Sequence, residues 1–130
     1  MHPAAAFVLG MIGLAASVFH LGRPWLAYRA AIAWRTSWLS REVLVFGAFA
    51  ASASVYAALP WLRAWGMAIP PSWQAPLGAV VAITGLTGVL CSTMIYASTR
   101  RVFWNPAYTG TKFILTGFVL GISVVLLMTL

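Results

Sequence analysis

Four apolar runs, residues 3–20, 43–62, 77–96 and 113–130, hold no charged side chain and are separated by stretches that carry all the charge. Each is close to the roughly 20 residues that a helix needs to cross the hydrocarbon core of a bilayer. Strands of a membrane barrel are about half that length and alternate apolar with polar residues, which AVVAITGLTGVL and FILTGFVLGISVVLLMTL do not do. Composition agrees, with 62% hydrophobic and 7% charged residues against about 25% charged in a soluble domain. The pattern predicts an all-α integral membrane bundle of four transmembrane helices forming one domain over 1–130. The first run lacks the basic n-region of a signal peptide, and no A-x-A site stands just before the Arg-rich stretch, so it is read as a retained span. Glycines at 10, 13, 47, 78, 85, 88, 117 and 121 suit helices whose backbones approach closely in lipid. The pairs Gly85/Gly88 and Gly117/Gly121 read either as packing seams or as the general tolerance of membrane helices for glycine.

With four spans, the first and third connections share a side, and the charges indicate which side that is. Eight Lys and Arg face a single acid, Glu42, but they lie between apolar runs and not on a polar face, which speaks against nucleic acid as a partner. The first connection carries Arg23, Arg29, Arg35 and Arg41, the third Arg100, Arg101 and Lys112, and the second only Arg63. The positive-inside rule makes the first and third connections cytoplasmic and both termini external. His20 then closes the first helix and Glu42 opens the second, so both reach one membrane surface together with Arg23, Arg41, Tyr96, Arg100 and Arg101. Between them, residues 21–41 are too charged to span. Pro24 suits a first helical position, and Trp25, Tyr28, Trp34 and Trp38 suit the headgroup layer, so a short interfacial helix is expected. Pro60, Pro70, Pro71 and Pro76 predict an irregular loop on the opposite side.

Glu42 has two readings at this level. Ser40-Arg41-Glu42 ahead of an apolar run is a natural helix start, with Ser40 as N-cap and the carboxylate favoured by the helix dipole. A carboxylate at the lipid boundary facing the bundle is also a candidate for proton handling. His20 is either an imidazole reaching the interface or a proton acceptor near neutral pH. Arginines six apart, about 240° around a helix, cannot form one stripe; topology and lipid phosphate contact account for them. Cys91 is the only cysteine, which excludes an internal disulfide or a four-thiolate site and suits a small buried residue. A b-type haem needs facing histidines on different helices; His2 and His20 lie at opposite ends of one, so neither haem nor a metal site is expected.

The stretch His20-Leu21-Gly22-Arg23-Pro24, followed by Arg35-Thr36-Ser37-Trp38-Leu39-Ser40-Arg41-Glu42, resembles the membrane anchor subunit (DmsC family) of dimethyl sulfoxide reductase. Met94-Ile95-Tyr96-Ala97-Ser98-Thr99-Arg100-Arg101 and Thr109-Gly110-Thr111-Lys112-Phe113 extend the match. The resemblance implies a multi-pass protein of the bacterial inner (cytoplasmic) membrane. It implies an anchor that oxidises menaquinol and passes electrons to an iron–sulfur subunit and a molybdopterin catalytic subunit during anaerobic respiration, binding no haem or metal itself. His20 and Glu42 map onto the family's quinol site. Gly22, Arg23, Arg41, Tyr96, Arg100 and Arg101 map onto groups that hold the quinol or dock the partner. Members are about twice this length with eight spans, so the match covers roughly their second to fifth helices and the chain reads as a piece of a longer anchor. Family catalytic subunits that carry twin-arginine export signals would put the site side outside, against the arginine count. A small proton-coupled transporter with one membrane glutamate and a purely structural assembly subunit are the competing readings.

Overall fold

The apolar runs lie on helices, and the last three of these helices begin before hydropathy places their starts. The computed structural model describes residues 2–19, 24–99, 101 and 104–129. It holds α1 (His2–Phe19), α2 (Trp38–Ala64), α3 (Gln74–Ser98) and α4 (Pro106–Thr129), with 3₁₀ turns at Pro24–Ala31 and Pro71–Trp73. No strand occurs among the described residues. The segments Trp38–Ala64, Pro71–Ser98 and Pro106–Leu127 are long and apolar enough to cross a membrane, while Ala4–Phe19 is a shorter apolar helix. The stretch expected to form a helix between the first two spans is in part a 3₁₀ helix.

Local chemistry explains the earlier starts. Ser37, with extended backbone, caps α2, and its hydroxyl accepts from the Ser40 amide at 3.5 Å. Ser40, expected as the cap, is instead buried inside the first turn at 2% exposure. In the same way, α4 starts on Pro106 with the Asn105 side chain accepting from the Ala107 amide at 2.9 Å. Proline is pre-shaped for a first helical position, where its missing N–H costs nothing.

The prolines do not all lie in a loop. Pro60 is inside α2 and Pro76 inside the first turn of α3, so the connection is only the stretch from Trp65 to Trp73. α2 ends on a positive-φ glycine, Gly66 (φ 86°). The Gly66 amide bonds the Arg63 carbonyl at 3.0 Å and the Met67 amide bonds that of Leu62 at 3.1 Å, the paired bonds of a Schellman stop. Arg63 then ties the turn down, donating to the carbonyls of Ile69 and Pro70, both at 3.3 Å, and to the Gln74 amide oxygen at 3.2 Å. Arg63→Ala should therefore speed amide exchange across residues 67–74 several-fold in the solubilised protein, since each such bond contributes about 1 kcal/mol. Unchanged exchange there would mean that the Schellman stop and the prolines hold the turn without it.

α2 and α3 form an antiparallel hairpin built from rings and notches. Phe46 of α2 lies against Gly88 of α3, Phe49 against Gly85, and Tyr56 against Gly78. Each step along α2 is matched by an equal step back along α3, and the three- and seven-residue intervals are those of a left-handed helix pair. The apolar side chains enclosed around this seam are small or compact: Ala53, Ala57, Leu59 and Cys91. Small residues are what let helices associate where lipid is as apolar as the protein. Ser52 and Thr84 meet across the seam at 3.5 Å. α4 joins where Gly110 rests on Thr93, the place of its missing Cβ only 3.1 Å from the Thr93 methyl. Elsewhere α4 shows large apolar side chains outward, Leu115, Val119, Leu120 and Leu127 among them, a surface suited to lipid and not to water.

Candidate functional site

The cap at Ser37 puts Glu42 in the second turn of α2, with no acidic residue in the first turn. A carboxylate there does not terminate the helix, so the reading of Glu42 as part of a helix start loses its structural basis. Glu42 occupies the next seam position beyond Phe46, and there it meets Ser92 of α3. The Ser92 hydroxyl donates to Glu42 Oε1, and the serine oxygen also lies 3.2 Å from the Gly88 carbonyl. Glu42 is half-buried.

Most hydroxyls on these helices stay on their own backbone. Ser54, Thr87, Thr93, Thr111 and Ser123 each bond the carbonyl four residues earlier at 2.7–3.0 Å. That is the default where no water is available to satisfy a hydroxyl. Ser92 departs from it by also reaching a carboxylate on another helix.

Arg41, beside Glu42 in sequence, is committed elsewhere. Its Nε donates to the Trp34 carbonyl at 3.0 Å and its Nη2 to the Arg35 carbonyl at 2.9 Å, while its guanidinium carbon lies 4.3 Å from the Trp38 ring centroid. It fastens the turn that leads into α2. Four residues past Ser92, the Tyr96 ring meets Trp104 edge-on at 5.0 Å and Phe113 at 5.5 Å. Arg101 lies 5.3 Å over the Trp104 ring. The structure thus brings Glu42, Arg41, Tyr96 and Arg101 to one end of the bundle, where the alternation of helices places them. His20, Gly22, Arg23 and Arg100 lie outside the described residues.

An apolar cleft of about 780 Å³ runs between α3 and α4. Phe49, Gly85 and Val89 line one wall and Phe113, Gly117 and Gly121 the other. Its volume falls within the roughly 300–1,000 Å³ of small-molecule sites. The cleft and the aromatic cluster share Phe113, and Val89 stands one turn below Ser92. Among the described residues no three His, Cys, Asp or Glu side chains come together as a metal site.

Sequence reasoning alone misses Ser92. Its signal is the seven-residue spacing of Gly78, Gly85 and Ser92, three small residues on one stripe of α3, which marks the face that α2 packs on.

Helical spans joined through small-residue seams, with the chain's one acidic side chain held across the tightest of them, define a polytopic membrane protein with that carboxyl group at one end of its bundle. The chain belongs to the DMSO reductase anchor subunit (DmsC) family, whose model matches residues 4–130. It is 39% identical over 120 residues to a sulfite dehydrogenase subunit of Allochromatium vinosum, an alignment that covers 86% of this chain and 37% of that protein. The chain therefore spans well under half the length of that relative. No solved structure matches it.

Proposed function

We propose that this chain is part of a membrane anchor that exchanges electrons between menaquinol and an iron–sulfur subunit, which in turn serves a molybdopterin catalytic subunit. The complex would sit in the bacterial cytoplasmic membrane, with the 3₁₀ stretch after α1 in the headgroup layer. The observation that carries the reading is the position of Glu42. In a chain of this anchor family, the one acid is bonded across a helix seam at the end of the bundle, with an apolar cleft within reach of the same helices.

Oxidising a quinol releases two electrons and two protons. His20 accepts a hydroxyl proton as a neutral imidazole, and Glu42, as the carboxylate, takes a proton and passes it to water at the membrane surface. The electrons leave for the partner's cluster on the same face. Arg23, Arg41, Tyr96, Arg100 and Arg101, with the small Gly22, hold the headgroup or the partner subunit. The apolar cleft between α3 and α4 offers the quinol's tail a path away from that end. The anchor reading takes precedence over a proton-coupled transporter because the family match is to an anchor subunit, in which a proton-handling carboxylate needs no transported cation.

The relative favours a second direction for the same chemistry. A complex that dehydrogenates sulfite gives electrons up, so an anchor serving such a reaction reduces a quinone and Glu42 supplies a proton where the quinol reaction takes one. The residues are the same in both directions, because the proton route is reversible.

Saturable binding of a fluorescent quinol-site inhibitor to membranes holding the full-length anchor and its partners tests this. Binding should be lost in His20→Ala and weakened at least tenfold in Glu42→Gln with the complex still assembled. Undiminished binding in both variants would leave this end of the bundle as scaffold.

A further inference from the structure

We propose that Ser92 is the positioning residue of Glu42, turning its single hydroxyl proton between two acceptors as the carboxyl gains and loses its own. The proposal rests on the proton-handling role given to Glu42 above.

Two contacts and one valence carry the argument. The Ser92 oxygen is within hydrogen-bond reach of both Glu42 Oε1 and the Gly88 carbonyl, yet a hydroxyl has one proton to donate and lone pairs to accept with. When Glu42 is a carboxylate, Ser92 donates to it. The Gly88 carbonyl is not orphaned, because it is also placed to accept the helical amide bond from residue 92. When Glu42 is protonated, its own O–H donates to the Ser92 oxygen, and the serine proton turns to the Gly88 carbonyl. Both protonation states leave Glu42 Oε1, the Ser92 hydroxyl and the Gly88 carbonyl paired, and neither requires a change of side-chain packing. A low-dielectric seam makes that property valuable, since an unpaired group there carries a large desolvation penalty.

Among the described residues, the surroundings leave this work to Ser92. On α2, the Arg41 guanidinium is held by the Trp34 and Arg35 carbonyls. Arg35, ahead of α2, lies 5.2 Å over the Trp34 ring. On α3, Cys91 is buried, and a thiol is only a weak donor; Tyr96 is packed among Trp104 and Phe113. On α4, Lys112 lies 4.2 Å over the Tyr108 ring. Gly88 completes the device from below. With no side chain, it admits the Phe46 ring and so allows α2 close enough for Glu42 to reach Ser92 one turn on.

The test is infrared difference spectroscopy of the full-length anchor in its assembled complex, stepped in pH, with the C=O stretch of protonated Glu42 assigned as the band that Glu42→Gln removes. Ser92→Ala should move that band to higher frequency, as for a carboxyl without a partner, and slow quinol oxidation about tenfold, the equivalent of one charge-assisted hydrogen bond. Ser92→Thr, which keeps the hydroxyl, should restore both. A band unmoved by Ser92→Ala overturns the proposal even if turnover falls, because the serine would then act through packing alone. A Ser92→Thr variant that behaves like the alanine overturns it too. Failure of the parent reading is separately visible: Glu42→Gln with undiminished quinol oxidation would remove Glu42 from the proton route, whereas a band shift in Ser92→Ala would still establish the bond.

Discussion

Glu42→Gln in the assembled complex is expected to slow quinol-driven electron transfer by about 10²- to 10⁴-fold, the usual contribution of a positioned proton-transfer group. Turnover of the terminal acceptor from an artificial one-electron donor, which bypasses the quinol, should stay at the parental rate. Glutamine is the informative substitution because it keeps both the size of the side chain and its contact across the seam. Its amide oxygen accepts from the Ser92 hydroxyl as Glu42 Oε1 does, so the packing of Phe46 on Gly88 is undisturbed. The amide neither titrates nor carries charge, so what is removed is the exchangeable proton and the negative charge left when it goes. Rates measured with both donors on the same membranes decide the matter. Equal losses with both would indicate damage to assembly, and no loss with either would place Glu42 outside the quinol reaction.

Much of the topology is legible from the four apolar runs, because the absence of charge over a bilayer's thickness leaves few alternatives. Helix ends are not, and the reason is local. Hydropathy falls off at Ser40 and Arg41, but a helix ends where its backbone amides run out of partners, and Ser37 supplies one three residues before the expected cap. That difference of nearly one turn decides what Glu42 is: a group inside a seam instead of a group at a terminus. The pairing with Ser92 spans fifty residues, and a single sequence offers only the small-residue stripe on α3 as a hint of it. Glycine patterns are equally ambiguous. Gly85 and Gly88 do take rings from α2, but the full G-x-x-x-G of α4 forms no close helix contact among the described residues: added Cβ atoms at Gly117 and Gly121 would meet nothing within 4 Å there. They line the apolar cleft instead. The α3–α4 contact that glycine does permit is at Gly110, which stands outside the apolar runs and carries no mark of a seam residue in the sequence.

Gly88→Leu is expected to prevent the α2–α3 hairpin from closing, with loss of assembled complex from the membrane. A Cβ at Gly88 would lie 2.7 Å from Phe46 Cε1 and 2.8 Å from Cζ, inside van der Waals contact before the rest of the leucine is added. Gly88→Ala gives a graded version with opposing effects that magnitudes can separate. Alanine favours a helix over glycine by about 1 kcal/mol, while overpacking a seam costs about 1–3 kcal/mol, so the net change should be destabilising by up to about 2 kcal/mol. The displacement falls one turn from Glu42, so Gly88→Ala should also loosen the bond to Ser92 and slow quinol oxidation more than its effect on stability explains. Phe46→Leu in the Gly88→Ala background removes ring atoms from the clash and should recover both stability and rate, whereas Gly117→Ala, whose added Cβ meets nothing within 4 Å among the described residues, should leave stability unchanged. Thermal unfolding of the solubilised complex, read alongside quinol-driven turnover, tests the series. A Gly88→Ala complex as stable and as active as its parent would mean that the Phe46 ring swings aside without cost. The close approach of α2 and α3 would then not be what holds Glu42 against Ser92.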